Sequence, residues 1–160
     1  KGATDVSAGG FRCWNGDNLL ETIREAKANS DFVIAYIHWG TENETQIDWA
    51  QEKQAPEIAA AGADLIIGSH PHCLQPIGSV QGVPVVYSLG NFWFNSKTVD
   101  TGMFKVTLDE SGLLNCQFLP CLQQGCRTEL LQGEEKLRVL NDLRSMSAGV
   151  RIDDEGYVTW

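Results

Sequence analysis

The sequence predicts an α/β layered fold with a mixed sheet flanked by helices, and two observations carry that prediction. Over residues 31–95 short apolar runs alternate with helical patterns, the signature of strand–helix–strand units. From residue 100 onward the pattern changes to hairpins around one further helix. The 160 residues are read as one compact domain or a large piece of one. Residues 31–95 form its motif-bearing core and 100–160 its hairpin-rich remainder.

The first ten residues, with Gly2, Ser7, Gly9 and Gly10, read as a loop. Asp17 to Asn29 reads as an amphipathic helix with Leu19, Leu20, Ile23 and Ala26 on one face and Asp17 or Asn18 as N-cap. Phe32 to Ile37 is six apolar residues in a row, expected to be a strand buried on both faces. Trp49 to Ala61 is a second helix, capped by Asp48 and closed by Gly62. Pro56 inside it signals a kink or a late start. Asp64 to Gly68 is another short buried strand, with Asp64 at its start. Gly82-Val83-Pro84 reads as a turn leading to a third strand, Val85 to Leu89. Met103 to Leu108 and Leu114 to Leu119 read as a hairpin turning at Asp109 to Gly112. Gly133 to Met146 is a helix presenting Leu137, Leu140 and Leu143. Ile152 and Tyr157 to Thr159 flank a second hairpin turn. The Gly9-Gly10 pair and Phe94 to Thr101 are the loop candidates for flexibility.

Composition removes several function classes. Apolar residues make up 42%, enough for a core. The formal net charge is −9 and the pI about 4.7. An acidic surface argues against nucleic acid, whose phosphates need a basic face, and against docking on an anionic membrane surface. An anionic substrate stays open, because a bound divalent cation inverts the local field. No apolar run is long enough to span a membrane. The chain opens at Lys1 without an initiator Met, so it reads as a processed piece, and a missing anchor says nothing of the parent. Cys13, Cys73, Cys116, Cys121 and Cys126 make an odd count, which leaves at least one thiol free. The five-residue spacing of the last three is not that of a zinc ribbon. One disulfide among the five and a set of small buried hydrophobes are both open.

Each of the three strands in residues 31–95 ends in metal-binding residue types. His38 follows the first, His70 and His72 the second, and Asn91 the third. Ligand sites of open α/β sheets form beyond the carboxyl ends of the strands, and neutral imidazole is the commonest nitrogen ligand of divalent metals. All three histidines of the chain fall at such ends, which core packing does not explain. If His-Pro-His is extended, a period of two sets both rings on one side. Ser69 is then placed to orient a ring. Glu42, four residues after His38, reads as a carboxylate supporting the ligands, a substrate contact or a solvated loop acid. Trp39 and Tyr87 read as packing residues or pocket lining. No Gly-x-Ser-x-Gly, Walker loop or G-x-G-x-x-G occurs.

His38-Trp39-Gly40-Thr41-Glu42, Gln51 with Ala55, Gly62-Ala63-Asp64 through His70-Pro71-His72, and Tyr87-Ser88-Leu89-Gly90-Asn91-Phe92 resemble the bacterial capsule-synthesis CapA family. That family is linked to poly-γ-glutamate synthesis and belongs to the calcineurin-like metallophosphoesterase superfamily. The resemblance runs from about Asp31 to Phe94 and is one of pattern only thereafter. It implies a sandwich of two sheets with flanking helices and a dinuclear metal site at the strand ends. Carried over residue by residue, His38, His70 and His72 are the metal ligands and catalytic residues. Glu42 and Asn91 are the substrate-side residues, Asn91 matching no superfamily ligand. The superfamily's early Asp-x-His and Gly-Asn-His motifs are absent; the Gly-Asp pair in Asn15-Gly16-Asp17-Asn18 resembles one only superficially, lacks the following His and lies at an expected helix start.

The chain is thus expected to be the C-terminal part of such a domain, partnered by a missing N-terminal half that carries the bridging Asp. Two divalent ions (Mn, Fe or Zn) are implied for the parent, with weak or no binding by this piece. The parent is expected at the cell surface or outside the cell, as a metal-dependent hydrolase of a phosphoester or an anionic polymer. The alternative is a non-catalytic assembly or export factor for that polymer.

Overall fold

A computed structural model describes residues 17–95, 97–110 and 112–160. The expectations for residues 1–16, including the opening loop, the glycine pair and Cys13, lie outside the described residues, as does the Asp17 side chain.

The first helix, α1 (Asp17–Ala28), packs Leu19, Leu20, Ile23 and Ala26 inward. Strand β1 (Ile34–His38) follows, then α2 (Trp49–Ala60) and β2 (Leu65–Ser69). Next come β3 (Ile77–Val80) and β4 (Val83–Val86). These strands form one mixed sheet in the order β1-β2-β4-β3, with β1, β2 and β4 parallel and β3 antiparallel to β4. The second sheet is antiparallel. Strands β5 (Val99–Asp109), β6 (Gly112–Gln124), β9 (Tyr157–Thr159) and β8 (Arg151–Ile152) lie side by side, with β7 (Arg127–Leu130) added to β6. Helix α3 (Gly133–Met146) connects β7 to β8. The result is the layered α/β fold with a mixed sheet that the strand–helix alternation predicts, with the two sheets that the resemblance implies.

The two faces of the first sheet face two cores. Ala35, Ile37, Ile66, Val85 and Tyr87 meet α1 and α2. Leu65, Ile67, Ile77 and Val86, on the opposite face, join Cys116, Phe118 and Val158 of the second sheet and Val139, Leu140 and Leu143 of α3. The alternation of these sets along β2 is the period-two rule of a strand buried on both sides.

Helix α2 begins as the sequence predicts. Asp48 accepts from the backbone N–H groups of Ala50 and Gln51, and Gln51 Oε1 accepts from Asp48 N, a complete capping box. Pro56 neither delays nor ends the helix. At the start of β2, Asp64 accepts from Val33 N and from Lys27 Nζ, tying α1, β1 and β2 together.

Several expectations are corrected. Strand β1 is not buried on both faces: Ile34 and Tyr36 are 50% and 66% exposed. It is one of the two edge strands, and the second core covers β2, β4 and the other edge strand β3 but stops short of it. A continuous apolar run cannot distinguish a covered strand from one whose cover is elsewhere. Val83 and Pro84 belong to β4; the turn is Gln81-Gly82, both at positive φ, closing a β3–β4 hairpin that the mixed Ile77-Gly78-Ser79-Val80 sequence conceals. Strands β5 and β6 extend well beyond 103–108 and 114–119, so Val99 to Thr101 is strand and not loop. Strand β7 was not anticipated. In α3, Val139 takes the buried place expected of Leu137, which is partly exposed.

Cys73, Cys116, Cys121 and Cys126 are free thiols. Cys116 and Cys121 are buried, and burial pushes the Cys116 thiol up to about 11, so neither forms thiolate readily. Cys126 is exposed. Alkylation of the native protein followed by peptide mapping is expected to label Cys126 rapidly and to spare Cys116 and Cys121 until denaturant is added. Native labelling of Cys116 at the rate of Cys126 would contradict the packing of β6.

Candidate metal centre

Three chain segments deliver the site, and one contact sets their spacing. Trp39, the residue after β1, is buried and lays its indole across β2, where Nε1 donates to the Tyr87 carbonyl at 3.0 Å. Its ring stacks on Tyr87 at 5.8 Å. Both aromatics are therefore core residues rather than pocket lining. The indole crosses β2 at Gly68, where an added Cβ would lie 2.3 Å from Trp39 Nε1 and 1.9 Å from Tyr87 O. Only glycine leaves room for that crossing. It holds together the carboxyl ends of β1, β2 and β4, from which His38, His70 with His72, and Asn91 emerge.

The His-Pro-His segment is not extended. His70 and His72 have φ of 101° and 63°, in the left-handed region that favours glycine, at a cost of about 1–3 kcal/mol each. The expected period-two placement is thus replaced by two left-handed residues around Pro71. The chain has to reverse there to form the Leu74–Leu89 bridge, which an extended segment would prevent. Both rings still reach one side: the centroids of His70 and His72 are 5.8 Å apart, and those of His38 and His70 4.5 Å.

The loop between β1 and α2 closes over this turn. Asn43 N donates to the Pro71 carbonyl at 2.7 Å. Below it runs a buried relay that sequence reasoning missed. Gln51 Nε2 donates to Gln75 Oε1 at 2.7 Å, and Gln75 Nε2 donates to the carbonyls of Glu44 and Gln46 at 2.9 and 3.0 Å. Both glutamines are fully buried. Gln51 stands three residues after the cap Asp48 and is among the motif residues quoted above, and Gln75 stands three after His72, but nothing in the sequence reveals that they meet.

This clamp holds Glu42 where its carboxylate joins His70 and His72: one ligand atom from each of the three lies within 4.8 Å of the other two. Donors around a single divalent ion stand about 3–4 Å apart, given bond lengths near 2.1 Å. Two imidazoles and a carboxylate therefore fit one such ion with a small closing movement. Among the described residues no further carboxylate joins the group, so a second ion has no ligand set there. His38 borders the trio through its contact with His70. Its Nδ1 stands 3.5 Å from Ser69 Oγ, the outer limit of a hydrogen bond. Asn91 is buried, with Oδ1 2.7 Å from His72 Nδ1. Phe94 closes the other side, its ring 5.4 Å from that of His72.

The His38 imidazole is held below its ordinary 6.5, first by burial and then by the charges of His70 and His72. It is therefore neutral at pH 7, the form that can ligate or accept a proton. The unfolded chain takes up the proton more readily, so this group's contribution to stability is lost as pH falls from its unfolded value through the lower folded one.

Such a group defines a layered α/β protein with a histidine–carboxylate centre at the carboxyl ends of its parallel strands. The chain belongs to the family described as bacterial capsule synthesis protein PGA_cap, whose profile matches residues 4–96. It is 35% identical over 123 residues to the PGA biosynthesis protein CapA of Bacillus subtilis, covering 69% of this chain and 32% of that protein. It is 34% identical over 137 residues to the capsule biosynthesis protein CapA of Bacillus anthracis, covering 81% of this chain and 33% of that one. An uncharacterized protein of Sinorhizobium fredii is 34% identical over 88 residues. The chain spans about a third of the length of the two CapA proteins.

Two outcomes follow from this geometry. Gly68→Ala is expected to lose about 3 kcal/mol or more of stability in urea unfolding, at the upper end of overpacking costs, because the obstructing atom is backbone. A loss under 1 kcal/mol, on the scale of a tolerated core swap, would contradict the Trp39 crossing. In an NMR pH titration His38 is expected to show a midpoint below 6.5. His70→Ala should raise it only part of the way, because burial is the larger cause; no movement would remove the coupling.

Proposed function

We propose that this chain is the C-terminal part of a capsule or poly-γ-glutamate synthesis protein whose site binds a divalent metal through Glu42, His70 and His72, with His38 beside them. The approach of three ligand atoms to within 4.8 Å is the observation that supports this most. A divalent ion there would polarise a phosphoryl-type oxygen and acidify a bound water. The chain's own residues would do the rest. Glu42 offsets the ion's charge, His70 and His72 orient it, and neutral His38 is placed to take or give a proton at the substrate.

In this reading the parent is a metal-dependent hydrolase, and the rest of its site comes from a segment outside residues 17–160. The exposed side of β1 supports that part. Ile34, Tyr36 and His38 pair in register with Leu65, Ile67 and Ser69, so they face the side that the second core covers elsewhere. Parallel strands are ordinarily covered on both faces. A missing N-terminal half that packs on Ile34 and Tyr36 would arrive beside His38, where carboxylates for a second ion are needed.

The substrate in this reading is a phosphoester or an anionic polymer. The net charge of −9 favours contact through the metal and through Lys97. That lysine donates to Asn43 Oδ1 at 2.6 Å, one residue from Glu42, and forms no ion pair among the described residues. The same acidic surface and the lone carboxylate in the trio favour a second reading, a non-catalytic assembly or export factor that keeps the site for binding. Cell-surface or extracellular placement fits either reading; no described helix is long and apolar enough to cross a membrane.

Metal analysis of the full-length protein tests the assignment. After loading with Mn²⁺ and desalting, the wild type is expected to retain metal, and His70→Ala and Glu42→Gln to lose most of it. Full retention by His70→Ala would remove the ligand assignment. A loaded wild type without activity on any phosphoester or γ-glutamyl substrate would leave the binding factor.

A further inference from the structure

His72 has two ring nitrogens, and one is already engaged. Its Nδ1 lies 2.7 Å from Asn91 Oδ1. A side-chain carbonyl oxygen only accepts, so in neutral His72 the proton sits on Nδ1 and the lone pair on Nε2. Asn91 is 7% exposed and reaches His72 through the turn at Gly90, whose φ is +74°. Its own Nδ2 is buried without an acceptor among the described residues. Turning the amide over would set Nδ2 against Nδ1, drive the ring proton to Nε2 and leave Oδ1 as the orphan instead. Both orientations make one hydrogen bond and leave one buried polar atom unpaired. They differ in which imidazole nitrogen keeps its lone pair. On the far side the Phe94 ring limits the tilt of the imidazole, and Phe94 is anchored by Gln123 Nε2, which donates to its carbonyl at 2.5 Å. The segment from Asn91 to Phe94 thus grips His72 on two sides.

We propose that Asn91 is a positioning residue: its side-chain oxygen fixes His72 in the Nδ1–H tautomer, leaving Nε2 as the nitrogen that serves the site shared with Glu42 and His70. This rests on the metal-binding reading above for its purpose. Asn91 acts through His72: its Oδ1 is engaged by the ring and its Nδ2 is buried. Partners of this kind fix ring orientation and raise the basicity of the ligand, and their loss weakens metal affinity about 10–100-fold.

Two measurements on the full-length protein decide it. The first is a long-range ¹H–¹⁵N correlation spectrum of ¹⁵N-histidine-labelled, metal-free protein above pH 7.5. The second is titration calorimetry with Mn²⁺ and with Zn²⁺. Wild-type His72 is expected as the Nδ1–H tautomer. Asn91→Leu should shift it toward Nε2–H and weaken binding about 10–100-fold. The near-isosteric Asn91→Asp should keep the Nδ1–H form and bind at least as tightly; it also maintains the test if the leucine variant fails to fold. An Nε2–H wild-type His72, or an Asn91→Leu protein with unchanged tautomer and affinity, would overturn the proposal. If the wild type binds neither ion, the metal reading fails, while the spectra still decide whether Asn91 sets the tautomer.

Discussion

The absence of a side chain at Gly68 is the constraint on which the site depends. The Trp39 indole can cross β2 only because nothing projects from residue 68 toward α2. The crossing joins the residue after β1 to the residue after β4 by a buried hydrogen bond. Three strand ends are thereby held at fixed spacing, and the histidines and asparagine that leave them have little freedom in where they go. A bulkier residue at 68 would do more than overpack a core: it would unlatch β1 from β4, and His38 would no longer be held beside His70.

A second layer of constraint lies in the polar relay beneath the β1–α2 loop. Gln51 serves two structures at once, closing the capping box of α2 with its oxygen and holding Gln75 with its amide nitrogen. Gln75 then holds two loop carbonyls. Each buried bond is worth about 1 kcal/mol net, but an unpaired buried partner costs up to about 3 kcal/mol, so the relay stands or falls as a unit. It offsets the strain of the left-handed residues Asn43, His70 and His72, which adjoin the same loop and turn. Strain concentrated where ligand-type side chains converge is characteristic of functional sites, and here the supporting contacts are visible.

The electrostatics have the same local character. The protein is acidic as a whole, yet around His70 and His72 the Glu42 carboxylate is accompanied by a neutral imidazole at His38 and by the Lys97 ammonium, which is bound to Asn43 and acts with Glu44 on Cys73. The uncovered face of β1, with Ile34 and Tyr36 exposed, leads up to His38 beside the same place.

By itself the sequence determined the class of fold, because periodicity, caps and turn residues act locally. The cap at Asp48, the limits of α3 and the strand ends bearing His38, His70, His72 and Asn91 are all legible as patterns of near neighbours. The family was legible for the same reason, since its motifs are short runs at those strand ends. Only the tertiary structure decided what depends on distant residues meeting. It showed that β1 is bare on one face, that His-Pro-His turns rather than extends, and that Glu42 joins His70 and His72 while His38 stands beside them. It also paired Gln51 with Gln75 and His72 with Asn91. These are contacts between residues 19 to 32 positions apart, set by how layers stack and where a glycine lets a tryptophan pass, and no local pattern encodes them.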